Sequence, residues 1–183
     1  MEIIKPDIKK AVKAIKEGKV LICPTDTVYG LICDANNKEA VERLYKIKKR
    51  PKNKPIPVFI SDIKMAKEIA EINKEQEKFL KKVWPGATTC VLTMKGGGGT
   101  IGLRIPNHKW LLHLVEQLNG PLAETSANIS GRPASTKIKE VLKQFTLSRV
   151  EGPDLAIDGG DLPPSKPSTV VDLRFSPPKI LRE

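Results

Sequence analysis

The chain has 183 residues, of which 39% are hydrophobic and 29% are charged, as is typical of a globular domain that buries a core without disulfides or metal ions. Its apolar stretches are much too short to cross a bilayer, and the N-terminal residues lack the apolar run of a secretory signal. We therefore predict neither a membrane span nor secretion.

The formal net charge of +11 predicts an anionic partner. Nucleic acid, a nucleotide and pyrophosphate all qualify. Aromatic residues make up only 4% of the chain, and no stretch has the aromatic pattern on which RNA-binding modules stack bases. The charge favours weak attraction to RNA but does not indicate an RNA-binding module.

The cysteines predict a reducing environment. Cys23, Cys33 and Cys90 are odd in number, form no Cys-x-x-Cys pair and sit among apolar neighbours. This pattern predicts buried, reduced thiols, as expected of a cytoplasmic protein.

Apolar spacing, caps and breakers predict a succession of helices and strands. In chain order these are a helix over 7–17, a strand over 20–23, a helix over 37–48, a strand over 56–60, helices over 61–72 and 75–83, strands over 88–94 and 100–105, a helix over 108–118, a strand over 122–125, a helix over 136–145, and strands over 155–158, 169–173 and 179–181. Asp7 and Ser61 are predicted to cap the helices that begin beside them. Because the two types alternate at first and strands dominate later, we predict one α/β domain over residues 1–183 with a mixed sheet.

A polar loop follows the first predicted strand. Thr25, Asp26 and Thr27 stand where ligands collect in α/β proteins, just beyond the carboxyl end of a strand. Their hydroxyls and carboxylate are therefore candidates for binding. The alternative is an ordinary turn in which Asp26 bonds its own backbone.

Two further stretches together predict a nucleoside triphosphate site. Lys48, Arg50 and Lys54 supply positive charge in a loop held extended by prolines, and Ser126 and Asn128 supply short polar groups in a loop of small residues. Alone, the first stretch could be a solvated helix end and the second a turn. The glycine-rich phosphate-binding motifs of other nucleotide sites do not occur, so side-chain cations would have to bind the phosphates.

Arg104 is a second candidate for anion binding. It stands between apolar residues of a predicted strand, where a buried charge needs a partner, and shares a strand face with Thr100. A substrate carboxylate and an internal acid both remain open as that partner. Ser168 opens a later strand, where it is either a ligand or a turn cap.

The sequence predicts no catalytic metal and no protein nucleophile. His108 and His113 are five residues apart, which places them on different faces of a helix. Ser126 has no evident histidine partner and no Gly-x-Ser-x-Gly elbow. A hydrolase is therefore not expected.

With these residues in place, the sequence resembles the YrdC/Sua5 family, the threonylcarbamoyl-AMP synthases of tRNA modification. The matching motifs run in order through residues 24–31, Lys48 with Arg50, 84–88, 103–106, 126–128 and 167–172. The resemblance implies an open, twisted sheet with a basic concave face. It also implies a nucleotidyltransferase that forms L-threonylcarbamoyl-adenylate and pyrophosphate from L-threonine, bicarbonate and ATP, with Mg²⁺ accompanying ATP. A downstream transfer machinery would pass the product to an adenosine of tRNAs that read ANN codons.

Carried over by position, the resemblance implies two sets of binding residues. The ATP-binding set is Lys48, Arg50, Lys54, Thr100, Ser126, Asn128 and Arg182. The threonine-binding set is Thr27, Arg104 and Ser168. Neither set includes a catalytic nucleophile, because the reaction needs placement and charge stabilisation, for which Lys48 and Arg50 matter most.

The sequence departs from the family pattern at several positions. Lys54 stands where many relatives have Asn, Phe59 where a His is frequent, Glu124 where small residues are common, and Ala134 where some have a Ser that Ser135 could replace. The chain ends at Glu183, as expected of the short YrdC form. The rival prediction from another class is a non-catalytic protein of the same fold that binds tRNA or double-stranded RNA.

Overall fold

Ten strands form one mixed sheet in the computed structural model, which describes residues 1–146 and 152–183. The strands are β1 (Glu2–Ile4), β2 (Leu21–Cys23), β3 (Gly30–Asp34), β4 (Val58–Phe59), β5 (Thr88–Thr93), β6 (Thr100–Arg104), β7 (Leu122–Ser126), β8 (Leu155–Ile157), β9 (Thr169–Asp172) and β10 (Lys179–Arg182). Their order across the sheet is β1-β8-β2-β3-β7-β4-β6-β5-β9-β10. The sheet contains both parallel and antiparallel pairs, so the prediction of a single α/β domain with a mixed sheet is confirmed.

Six α-helices accompany the sheet in the described residues. They are α1 (Ile8–Lys16), α2 (Lys38–Lys48), α3 (Ile63–Ile69), α4 (Lys74–Val83), α5 (Lys109–Leu118) and α6 (Ile138–Thr146). The Asp7 side chain accepts a hydrogen bond from the backbone nitrogen of Lys10 and caps α1 as predicted. The predicted cap of α3 was wrong by one residue: Asp62, rather than Ser61, accepts from the backbone nitrogen of Met65.

Three clusters of buried apolar side chains fill the space between the sheet and the helices. Each cluster contains buried residues from two helices as well as from strands. The helix residues include Leu44 of α2 and Val141 of α6 in the first cluster, Ala11 of α1 and Leu111 of α5 in the second, and Ala66 of α3 and Leu80 of α4 in the third. The central strands β2, β3, β4 and β7 are buried on both faces along most of their length.

Two strands were missed from the sequence. β1 is a three-residue edge strand, and β3 follows the polar loop, where no strand was predicted from the sequence. β3 pairs with β2 on one side and β7 on the other, so its backbone bonds are satisfied by strands distant in sequence.

The cysteines are buried and free, as predicted. Burial raises the pKa of Cys33 and of Cys90 to about 12, so both thiols stay protonated at neutral pH. None of the helices in the described parts of the chain combines the length and the apolar character that crossing a bilayer requires.

Candidate functional site

A cleft with a cavity volume of about 70 Å³ opens where several strands end. Six of the predicted binding residues line it: Thr27, Arg50, Arg104, Ser126, Ser168 and Arg182. They come from the loop after β2, the loop after α2, the ends of β6 and β7, the residue before β9, and β10. The fold therefore brings together residues that are far apart in sequence.

Arg104 is almost completely buried in the cleft wall, and its charge is paired. Its Nε donates to the backbone oxygen of Gly86 at 2.9 Å, one Nη1 hydrogen points to Thr27 Oγ1 at 3.4 Å, and Nη2 forms an ion pair with Asp26. The other oxygen of Asp26 accepts from the backbone nitrogen of Asn107 at 2.9 Å. The sequence left open whether the partner of Arg104 is an internal acid or a substrate carboxylate, and the structure contains an internal acid, Asp26. Because a guanidinium has five N–H groups, two remain for a ligand.

Lys48 lies beneath the cleft and does not line it. Its ammonium donates to Ser126 O at 2.5 Å, to Ser126 Oγ at 3.0 Å and to Asn128 Oδ1 at 2.6 Å. Three acceptors use all three of its hydrogens. All these acceptors are neutral, so burial, together with the nearby charge of Arg50, lowers the pKa of Lys48 to about 8.

Asn128 is satisfied within the protein. Its amide nitrogen donates to the backbone oxygens of Ile129 and Arg132, at 3.2 and 2.5 Å, and its oxygen accepts from Lys48 and from Ser126 Oγ. The amide holds the loop after β7 in shape, which leaves Ser126 as the member of this loop that faces the cleft.

Arg50 is held at the cleft by its own loop. Its Nε donates to the backbone oxygen of Lys54 and its Nη2 to that of Pro55, both at 2.9 Å. The side chain of Lys54 is exposed and does not line the cleft, and its backbone carbonyl is what orients Arg50. Thr100 begins β6 opposite Thr93 and also lies outside the cleft lining.

Arg182 and Ser168 form a connected pair. The guanidinium donates to Ser168 O at 2.6 Å through Nη2 and at 3.1 Å through Nε, and to Ser168 Oγ at 3.2 Å. Ser168 Oγ is also 3.0 Å from the hydroxyl of Thr89. Burial, and the charges of Arg50 and Arg104, lower the pKa of Arg182 while leaving it a cation.

Among the charged residues that line the cleft, Glu124 is the one that sequence reasoning did not assign to a ligand. It lies in the middle of β7, is 9% exposed and lines the cleft. Burial raises the pKa of its carboxyl group, although Arg104 and Lys48 oppose the shift. The signal available in the sequence was an acidic residue inside a predicted strand.

The other departures from the family pattern have structural explanations. The Phe59 ring packs under the Arg104 guanidinium, 5.4 Å from its centroid. Ser135, next to Ala134, accepts from the backbone nitrogen of Lys137 at 3.0 Å and donates to Glu140 at 2.6 Å. Its hydroxyl therefore organises the start of α6.

Protein ligands for a metal ion are not clustered in the described parts of the chain. No group of three or more His, Cys, Asp or Glu residues there is arranged to hold one. The acids at the cleft are Asp26, which is paired with Arg104, and Glu124.

Comparison with known proteins identifies the family. Residues 13–183 match the family model Sua5_yciO_yrdC, which carries the description "Telomere recombination". The chain therefore belongs to the Sua5/YciO/YrdC family, as the sequence motifs predicted.

Individual relatives agree in sequence and in structure. The chain is 38% identical to "Threonylcarbamoyl-AMP synthase" of Pyrococcus abyssi, with 96% of this chain and 53% of the relative covered. It is 35% identical to the protein of the same name from Bacillus subtilis, with 97% and 53% covered. The structure of P. abyssi Sua5 complexed with L-threonine superposes with a TM-score of 0.88 at 35% identity, over 99% of this chain and 56% of that one. The chain thus spans about half the length of these relatives.

Proposed function

We propose that this protein is a threonylcarbamoyl-AMP synthase that makes L-threonylcarbamoyl-adenylate and pyrophosphate from L-threonine, bicarbonate and ATP. The observation that carries the proposal is the convergence of three guanidinium groups on one cleft, those of Arg50, Arg104 and Arg182, beside the hydroxyls of Thr27 and Ser168. The names of the similar proteins from P. abyssi and B. subtilis support it.

The ATP phosphates would bind at the Arg50, Ser126 and Arg182 side of the cleft. Arg50 and Arg182 present charged N–H donors, Ser126 lines the cleft while its hydroxyl donates to Asn128, and the Lys48 ammonium beneath Ser126 adds positive potential without direct contact. We propose that Mg²⁺ enters as part of the substrate, coordinated by the phosphates.

Threonine would bind at the Arg104 side. The two N–H groups of Arg104 that remain can hold the carboxylate in a planar, charge-assisted contact. The hydroxyls of Thr27 and Ser168 lie on the same cleft and can bond the substrate hydroxyl. The threonine complex of P. abyssi Sua5 supports this part of the proposal.

The chemistry is nucleotidyl transfer by placement. The threonine nitrogen is first carboxylated by bicarbonate, and a carbamate oxygen then attacks the α-phosphorus while the bond to pyrophosphate breaks. No covalent bond to the protein forms, so the cleft acts by alignment and by stabilising negative charge on the leaving group through Arg50 and Arg182.

The product would serve a later step in a soluble, cytoplasmic setting. An acyl-adenylate of this kind requires an enzyme system that transfers its threonylcarbamoyl group to tRNA. The net charge of +11 exceeds what one cleft uses, and a basic concave face that attracts tRNA stays a prediction.

Pyrophosphate release tests the proposal. Purified protein with MgATP and bicarbonate should release pyrophosphate when L-threonine is added, and should release little when D-threonine is added or bicarbonate is omitted. Absence of threonine-dependent release, together with tight binding of duplex RNA at physiological salt, would favour the RNA-binding alternative.

A further inference from the structure

Glu124 is an acidic side chain with no partner in a cleft that is otherwise positively charged. Glu124 is only 9% exposed, yet no hydrogen bond from the described residues reaches its carboxylate. In that part of the chain every fully shielded side-chain oxygen has a partner, so the Glu124 oxygens must reach the cleft surface. The carboxylate is thus a free acceptor directed at the ligand space.

The neighbouring strand leaves room for this carboxylate. Gly30 of β3 lies beside it, and a Cβ at that position would come within 3.4 Å of Glu124 Oε1 and 3.3 Å of the Thr25 methyl group. The backbone of Glu124 is fixed by its bond to Pro57 O at 2.9 Å. The carboxylate therefore has a defined place and is not a mobile surface group.

The charges around Glu124 come from every side of the cleft. The charged groups are Lys48 on α2, Arg104 on β6, Arg182 on β10 and Asp26 in the loop after β2. One buried thiol, Cys23 on β2, also lies near the carboxylate. The cations do not hydrogen-bond it, and burial outweighs their attraction, so the charged form of Glu124 costs more free energy here than it does in water. A ligand group with positive charge would remove that cost.

We propose that Glu124 binds the ammonium group of the amino-acid substrate and accepts the proton released when that amine is carboxylated. The proposal rests on the proposed function. Of the three substrates, only the amino acid carries a cation. Arg104 for the carboxylate and Glu124 for the ammonium line the same cleft, as recognition of an α-amino acid requires.

The proton balance gives the carboxylate a task in the reaction. An ammonium and a bicarbonate combine to form a carbamate, with loss of one water molecule and one proton: the nitrogen gains a bond to carbon, and a carbon–oxygen bond of bicarbonate breaks. The released proton needs an acceptor. A carboxylate whose proton affinity is raised by burial is a better base than one in water, and it meets the substrate nitrogen directly.

A binding experiment with a matched ligand tests the ammonium contact. 3-Hydroxybutyrate is threonine without its amino group. In calorimetric titrations, Glu124→Gln should weaken threonine about tenfold to a hundredfold while 3-hydroxybutyrate binds equally well or better, because an anion no longer meets the carboxylate. Glu116→Gln, on the exposed face of α5, is the control and should change neither.

The rate tests the proton transfer. In the pyrophosphate assay, kcat of Glu124→Gln at saturating threonine should fall about a hundredfold. The wild-type rate should decline as acid protonates Glu124, and this decline should be absent in the variant. Because the variant loses a costly buried ion, its melting temperature should be unchanged or higher, which separates loss of function from loss of fold.

The outcomes distinguish this inference from the proposed function. Equal weakening of both ligands, or no weakening of either, overturns the role of Glu124 even if wild-type protein releases pyrophosphate. If Glu124→Gln weakens threonine alone but the wild-type protein releases no pyrophosphate, the proposed reaction is overturned and the ammonium site stands. Absence of binding of both ligands to wild-type protein would overturn both.

Discussion

Lys48 and Ser126 are joined twice, through the Ser126 carbonyl at 2.5 Å and through its hydroxyl at 3.0 Å. The cation is therefore fixed one residue layer below the cleft surface. Its ammonium cannot contact a phosphate without giving up an internal bond. It acts on a bound nucleotide through its field, and because its pKa is only about 8, that field depends on pH in an accessible range.

ATP affinity should fall as pH rises above 8. An anion in the cleft favours the charged form of Lys48 and raises its pKa, so binding is strongest while the ammonium is protonated and weakens as pH passes through the value of the free protein. The fall should be at most tenfold per pH unit. Calorimetric titration with MgATP between pH 7.5 and 9.5 measures it.

Two variants serve as controls for this titration. In Lys48→Arg the charge persists throughout the range, and in Lys48→Met it is absent, so both should give flat profiles. A wild-type profile as flat as theirs would contradict the role of Lys48. Relative to Lys48→Met, the wild-type free energy of unfolding should also rise between about pH 8 and 10.5, because the unfolded chain binds more protons than the folded one in this window.

Arg50→Ala should weaken ATP binding by about 2–4 kcal/mol, because it removes a charge-assisted donor from a partly desolvated phosphate site. Arg50→Lys should also bind poorly, since a point charge cannot bond Lys54 O and Pro55 O and still face the cleft. The measurement is calorimetric titration without threonine. Lys46→Ala, an exposed position on α2, is the control. An Arg50→Ala variant that binds ATP normally would place the phosphates elsewhere.

Arg104→Ala should cost about 3–5 kcal/mol of stability, because it leaves Asp26 as an uncompensated charge and removes the donor to Gly86 O. Threonine affinity should fall as well, through loss of the carboxylate contact. Denaturant unfolding and titration with each ligand measure the two effects.

The variant Asp26→Asn tests whether Asp26 is the charge partner of Arg104. It should cost stability of the same order, and the double variant should lose less than the sum of the single losses, because each single change strands the other charge. Strict additivity would show that Arg104 and Asp26 do not act as a pair. ATP affinity measured without threonine should stay near wild type in the single variants that remain folded.

Much of the fold followed from local patterns. The helix over 108–118 and the strand over 88–94 have continuous apolar spacing and clear ends, and both were found within a residue or two. β3 was missed because its place between β2 and β7 is decided by pairing with strands far away in sequence. A glycine after a polar loop gives no local indication of that pairing.

The site was harder to predict at the level of contacts. The sequence could name Lys48 and Asn128 as candidate binding residues, but it could not show that they would hydrogen-bond each other below the cleft surface. Glu124 could only be marked as unusual. Whether an acid in a strand is paired, exposed or left free in a cleft depends on neighbours from β3, β6 and β10, which no local pattern reveals.

The placement of Arg182 has a consequence for motion. It reaches the cleft from β10, an exposed strand whose partner in the sheet is β9 alone. Amides in such an edge strand open and exchange with solvent more readily than those of a central strand. A ligand can contact Arg182 only while β10 is docked on the sheet. Filling the cleft therefore stabilises the docked strand by the same free energy that docking adds to ligand binding, and hydrogen exchange along β10 becomes slower. The edge of the sheet thus reports whether the site is occupied.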